Sequence, residues 1–172
     1  MSFPLRKTGL IVDINNLYFA IQAKFGKRKL QIVDYVKWLE DRGHVLTYKI
    51  AYSRQRADEA PGFVSLLKAN GFETHFSNTQ WSVAMALRTA DIVANIDCLV
   101  LGTNYQEAGR ILAWAKERGK LTKCFAANIA PFFKQLCDCV EIPEEILSEV
   151  VDPTKPVELP ANVGGDAPRS GT

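Results

Sequence analysis

Two polar clusters follow the most apolar runs of the chain, and their side chains could bind a metal ion. In GLIVDINNLY (9–18) the run ends on Asp13 and Asn16, and in LVLGTNYQEAG (99–109) it is followed by Asn104 and Glu107. Mg²⁺ prefers oxygen ligands, and two carboxylates with a nearby amide can hold it weakly. The sequence therefore indicates Asp13 and Glu107 as candidate metal ligands.

The same residues also have a purely structural interpretation. An Asp or Asn between a strand and a helix often caps the helix by accepting a backbone N–H, which would account for Asp13, Asn15 or Asn16. A glutamate in a first helical turn complements the helix dipole, which would account for Glu107. Both interpretations stay open on the sequence alone.

The elements that position these residues alternate between β-type and helical patterns. Apolar runs predict five strands, at residues 9–14, 44–53, 72–77, 97–103 and 123–128. Helical spacing follows each of them, and a last apolar piece covers residues 139–142. Continuous apolar strands that alternate with helices favour a parallel sheet covered on both faces. We therefore predict a three-layer α/β/α fold with a Rossmann-like parallel sheet of about five strands.

Such a sheet gathers ligand-binding residues beyond the carboxyl ends of its strands, near the point where strand order reverses. Besides the two clusters above, this edge would receive the residues that follow the second and third strands. Those residues are Ser53, Arg54 and Arg56, and Asn78, Thr79 and Gln80.

Charge and composition restrict the class of protein. Residues 1–139 hold 19 Lys and Arg against 12 Asp and Glu, whereas residues 140–172 hold 2 against 7. A basic body permits a polyanionic partner without requiring one. We expect no membrane span, a cytoplasmic location, buried free thiols at Cys98 and Cys124, and one domain over residues 1–151. Prolines and glycines in residues 152–172 predict a disordered tail.

Three segments together resemble the NYN family of PIN-like nuclease domains. GLIVDINNLY resembles the family's first strand and turn, and LVLGTNYQEAGRILAWAKERGK resembles its strand, acidic turn and following helix. SVAMALRTADIVANIDCLVL resembles the segment between them. The resemblance covers residues 8–142 and implies a metal-dependent ribonuclease, or a protein derived from one, that uses Mg²⁺ or Mn²⁺ and acts on RNA.

The resemblance also implies which site residues are kept and which are replaced. Asp13, Asn16 and Glu107 match the family's pattern and would be the catalytic residues. Ser82, Arg88 and Tyr105 stand where the family has acids. A guanidinium at position 88 would repel a metal ion and is expected to pair with Asp13 or Glu107. A shifted alignment would instead bring Asp91 toward the site.

Three functional hypotheses follow. The first is a metal-dependent ribonuclease with fewer acidic residues at its site. The second is an inactive relative that binds single-stranded RNA. The third is a protein-interaction subunit or homo-oligomer. Candidate RNA contacts are Arg54, Arg56, Arg88, Asn104 and, in the basic run after the first helix, Lys27 and Arg28. Tyr18, Phe19 and Phe25 lie beside that run and could stack on bases, although we expect them to be core residues.

Overall fold

The computed structural model describes residues 4–54, 57–76 and 81–150. Six parallel strands form the central sheet in the order β4-β3-β1-β5-β6-β7. Their bounds are β1 Arg6–Asp13, β3 His44–Ser53, β4 Glu73–Phe76, β5 Cys98–Gly102, β6 Leu121–Ala126 and β7 Asp138–Glu141. The predicted fold class is confirmed, and the last apolar piece of the chain adds the sixth strand.

Six α-helices connect and cover the strands. They are α1 Ile14–Phe25, α2 Ile32–Glu40, α3 Pro61–Ala69, α4 Trp81–Ile92, α5 Ala108–Glu117 and α6 Pro131–Leu136. The first three line shared grooves, and the last three contact one another in series. Because crossovers between parallel strands are right-handed, the two groups cover opposite faces of the sheet.

A second, two-stranded antiparallel ribbon lies outside the main sheet. It pairs β2 Arg28–Leu30 with β8 Leu147–Glu149 and so joins the loop after α1 to the end of the described chain. The sequence analysis did not predict this ribbon, because three-residue strands with charged side chains carry too little period-two signal. The predicted tail, residues 152–172, lies outside the described residues.

The core is centred on β1 and β5, whose middle residues have no exposed surface. These residues are Leu10, Ile11 and Val12 in β1 and Leu99, Val100 and Leu101 in β5. Cys98 and Cys124 are buried free thiols, as predicted. Close packing continues to the end of β5, where a Cβ on Gly102 would lie 2.8 Å from the Tyr35 hydroxyl and 3.3 Å from Leu17. Glycine at that position lets α1 and α2 approach the edge of the sheet.

No helix within the described ranges is both long and apolar enough to cross a lipid bilayer.

Candidate functional site

The strand order places the candidate site at the carboxyl edge, between β1 and β5. The chain leaves β1 for β3 on one side, and β5 lies on the other side, so strand order reverses between β1 and β5. The crevice at such a reversal is where open α/β sheets bind ligands. The structure brings the residues after β1 and those after β5 together there.

Asp13 is the last residue of β1, and its side chain caps α1. It is only 4% exposed, and its carboxylate accepts the backbone N–H of Asn16 at 3.1 Å. Burial raises the pKa of Asp13, while the N–H of Asn16 and the charge of Arg54 act in the opposite direction. The capping interpretation is confirmed for Asp13. It does not hold for Asn15 or Asn16, because both lie inside the helix and bond elsewhere.

Asn15 joins the end of β1 to the end of β3. Its side-chain oxygen accepts the Ser53 hydroxyl at 3.1 Å and the backbone N–H of Arg54 at 2.7 Å. One amide oxygen therefore fixes both the last residue of β3 and the first residue beyond it. This contact sets where Arg54 leaves the sheet.

Asn16 makes the corresponding contact on the other side of β1. Its side-chain oxygen accepts the backbone N–H of Asn104 at 2.8 Å. The Asn104 side-chain amide then donates to the carbonyls of Ala127 at 3.3 Å and Asn128 at 3.0 Å, beyond β6. We call Asn15, Asn16 and Asn104 the asparagine bridge, since they join the ends of β3, β1, β5 and β6.

The loop after β5 is ordered by its own first residue and carries Glu107 at its far end. Thr103 is fully buried, and its hydroxyl accepts the backbone N–H of Tyr105 at 3.1 Å. Glu107 directly precedes α5, is exposed, and makes no side-chain hydrogen bond that caps the helix. The two predicted metal ligands therefore differ in environment, with Asp13 buried and Glu107 facing solvent.

These residues offer few free oxygen ligands to a catalytic Mg²⁺ or Mn²⁺ centre. Such centres gather several oxygen ligands that are available to the metal. Here the side-chain oxygens of Asn15 and Asn16 already accept hydrogen bonds, and the described residues contain no group of three or more His, Cys, Asp or Glu side chains able to hold a metal. Residues 55–56 and 77–80, which lie outside the described ranges, include no acid. The sharing of a metal by Asp13 and Glu107 stays a prediction.

The predicted pairing of Arg88 with Asp13 or Glu107 is wrong. Its guanidinium makes a bidentate contact with Glu73, at 2.8–3.2 Å, and lies 3.7 Å from Asp91. Glu73 is the first residue of β4 and therefore lies at the opposite end of that strand from the carboxyl edge. Asp91 is exposed and belongs to the same surface cluster.

The other predicted RNA contacts occupy several environments. Arg54 lies at the edge, close enough to Asp13 for its charge to lower the pKa of that carboxyl. Arg56 lies outside the described residues. Arg28 is shared between Glu144 at 3.5 Å and Glu149 at 3.8 Å, whereas Lys27 is exposed. Arg28 is thus engaged in holding the β2–β8 ribbon.

Comparison with known proteins identifies the family. The sequence model of the NYN domain matches residues 7–143, most of the chain. The chain belongs to the NYN domain family. The NYN domain places it in the PIN-like nuclease superfamily, whose members generally use divalent metals and typically act on RNA. No protein with a curated description matches the sequence.

A solved structure resembles this NYN domain in fold. It is a protein of unknown function from Vibrio parahaemolyticus, and the superposition has a TM-score of 0.73 at 15% sequence identity. It covers 86% of this chain and 99% of the other chain. At that identity the likeness shows the fold alone.

Two residues of the edge, Asn128 and Asn15, were not among the site residues predicted from the sequence. Asn128 has a positive φ of 51°, a conformation that asparagine tolerates better than most residues, and its carbonyl accepts from Asn104. Its position directly after the apolar run of β6 was the available signal. Asn15 was placed at the edge by the sequence, but nothing there indicated its contact with β3.

Proposed function

We propose that this NYN domain binds single-stranded RNA across the carboxyl edge of its sheet and does not hydrolyse it through a resident metal. The observation that carries the proposal is the asparagine bridge. The amide oxygens nearest to Asp13, those of Asn15 and Asn16, are used to join strand ends and are not directed at a ligand. Of the acids that the family resemblance assigns to the site, Asp13 and Glu107 are present, and one is buried while the other is exposed.

Positive charge at the edge supports RNA as the ligand. Arg54 is anchored by its backbone to Asn15, so its side chain leaves the sheet from a fixed point beside the crevice. Residues 1–139 hold 19 Lys and Arg against 12 Asp and Glu, so most of the chain is basic. Phosphate contacts of this kind supply affinity that does not depend on base sequence. Arg56, Lys27 and Asn104 are proposed to add to the same path.

Salt dependence of binding tests this proposal. The dissociation constant of a fluorescein-labelled uridine dodecamer is measured by anisotropy between 50 and 300 mM KCl, without divalent metal. We expect binding that weakens steeply with salt, and we expect Arg54→Gln to weaken it and to lower the salt slope by about one contact. Lys68→Gln, an exposed cation at the end of α3, is the matched control and should behave like the unmodified protein.

Two results would overturn the proposal. Absence of binding at 50 mM KCl would leave a protein-interaction role for the domain, and size-exclusion chromatography with light scattering would then test for a second copy as the partner. An equal effect of Arg54→Gln and Lys68→Gln would show that the carboxyl edge is not where RNA binds.

A further inference from the structure

A groove runs from the carboxyl edge along α1 toward the basic run after that helix. It has a volume of about 530 Å³ and lies between α1, the β2 segment and the start of α3. Asn15, which belongs to the asparagine bridge, lines one end of the groove. Lys29 lines the part formed by β2. Cavities of about 300–1,000 Å³ are typical of small-ligand sites. The groove therefore offers a bounded space directly beside the crevice.

Two aromatic side chains on α1 face this groove while remaining exposed. Tyr18 is 49% exposed and Phe19 is 66% exposed, and their rings meet edge to face with centroids 5.5 Å apart. Phe63 of α3 lines the opposite wall. The sequence interpretation that these aromatics belong to the core is wrong for Tyr18 and Phe19, although it holds for Phe25, which packs against the core. Exposed rings beside a groove are a platform for stacking.

The charges around the groove favour a polyanion. No carboxylate lines it, whereas Lys29 does. In the adjoining basic run, Lys24 is paired with Glu141 and Arg28 with Glu144 and Glu149. Within the described ranges Lys27 and Lys29 have no carboxylate partner. Lys29, which lines the groove, is thus one of the two cations of this run that have no carboxylate partner in the described part of the chain.

We infer that this groove is a base-stacking subsite for single-stranded RNA. An unstacked base lies against Tyr18 and Phe19, and the flanking phosphate meets Lys29. The inference deepens the proposed function, on which it rests, by adding a second contact region that begins at Asn15, the residue that holds the backbone of Arg54. An RNA strand that follows the edge from Arg54 past Asn15 enters the groove without leaving the protein surface.

Ring removal at exposed positions tests the subsite without disturbing the core. The probe is a uridine dodecamer that carries a single 2-aminopurine, and both its dissociation constant and its emission are recorded. Tyr18→Leu and Phe19→Leu should each weaken binding by about tenfold, since stacking on one aromatic contributes that order of affinity, and should reduce the quenching of 2-aminopurine. Tyr18→Phe keeps the ring and should bind within twofold of the unmodified protein. Leu87→Ala removes an exposed apolar side chain on α4 and should change nothing.

The outcomes separate this inference from the proposed function. If the dodecamer binds and Arg54→Gln weakens it while Tyr18→Leu and Phe19→Leu do not, the groove is not an RNA subsite, and a protein segment becomes its occupant. If adenosine monophosphate displaces the labelled dodecamer at the same concentration as unlabelled dodecamer does, the ligand of the groove is a free nucleotide. The inference of an RNA subsite is then wrong. If the unmodified protein does not bind the dodecamer, both proposals fail. Thermal melting of each variant shows whether a loss of binding reflects unfolding.

Discussion

The side-chain oxygen of Asn16 accepts the backbone N–H of Asn104 at 2.8 Å, and this bond joins the ends of β1 and β5. It crosses the point at which strand order reverses, where open α/β sheets bind their ligands. The same helix turn holds the end of β3 through Asn15. The crevice of this NYN domain is therefore braced by amides around a single buried carboxylate, Asp13.

Removal of this bond should lower stability. Asn16→Ala leaves the N–H of Asn104 without its acceptor, which costs about 1–2 kcal/mol. We expect a fall of about 2–6 °C in the melting temperature, measured by circular dichroism. Asn95→Ala is the control, because Asn95 is exposed at the other end of β5. Equal melting temperatures for the two variants would contradict a bracing role for Asn16.

Neutralisation of Asp13 should stabilise the protein at neutral and higher pH. Burial raises the pKa of Asp13, so the folded state binds its proton more tightly than the unfolded chain does. The contribution of this group to stability is then largest in acid and is lost as pH rises through the raised pKa. Asp13→Asn keeps an acceptor for the N–H of Asn16 and removes the buried charge. We expect a higher melting temperature for this variant at pH 8 and a smaller advantage near pH 4.

A control separates charge removal at Asp13 from a general effect of amide substitution. Asp34→Asn changes an exposed aspartate in the first turn of α2, so it should give no stabilisation at pH 8. If Asp13→Asn melts below the unmodified protein at pH 8, the buried carboxylate stabilises the folded state and the prediction is wrong.

His44 should make the protein sensitive to mild acid. Its ring is buried and contacts the Thr8 hydroxyl at 2.9 Å, and burial, with the charges of Lys123 and Arg6, lowers the pKa of His44 from 6.5 to about 4. The unfolded chain therefore binds the proton first. The stability that neutral His44 contributes is complete above pH 6.5 and is lost as pH falls toward 4.

The measurement is the free energy of unfolding in urea at several pH values from 7 to 4. His44→Gln cannot titrate and should show a shallower decline over this range. His75→Gln changes a partly exposed histidine that contacts Glu73 at 2.6 Å and is the control, in which we expect the decline to persist. A decline of equal slope in both variants would assign the acid sensitivity to other groups.

Arg88 should affect Glu73 and not the carboxyl edge. The hydrogen bonds from Arg88 lower the pKa of Glu73, so Arg88→Gln should raise that pKa when it is followed by NMR titration of the Glu73 carboxyl. The pair is partly exposed, and its loss should cost no more than about 1 kcal/mol. RNA affinity should stay within twofold of the unmodified protein. A loss as large as that of Arg54→Gln would return Arg88 to the RNA-binding surface.

The local pattern of the sequence predicted the strands of the central sheet, its helices and the edge of the sheet at which Asp13, Asn16 and Asn104 meet. Uninterrupted apolar runs are visible along the chain, and Asp13 and Asn16 end one of them. The contact between Asn16 and Asn104 spans 88 residues, and no local signal indicates which amide meets which backbone group. The partner of Arg88 was predicted wrongly for a related reason. The alignment of Arg88 with the family's acids gives no information on Glu73. Glu73 lies near Arg88 because β4 pairs with β3.

The expectation that Tyr18 and Phe19 belong to the core was wrong. Leu17, Ala20 and Ile21 form the buried face of α1, and the two aromatics lie between them in sequence. Their exposure depends on how far α3 and β2 stand from α1, which creates the groove. That separation is a tertiary property, so spacing along one helix could not reveal it.

The central claim, RNA binding without metal-dependent hydrolysis, is tested most directly by one cleavage measurement. A labelled uridine dodecamer is incubated with saturating protein and 5 mM Mn²⁺ or Mg²⁺, and its products are resolved on a denaturing gel over several hours. We predict the same trace of product for the unmodified protein and for Asp13→Ala, at protein concentrations that bind the RNA. Cleavage by the unmodified protein that disappears both in Asp13→Ala and on chelation of the metal would contradict the claim and make this NYN domain an active ribonuclease.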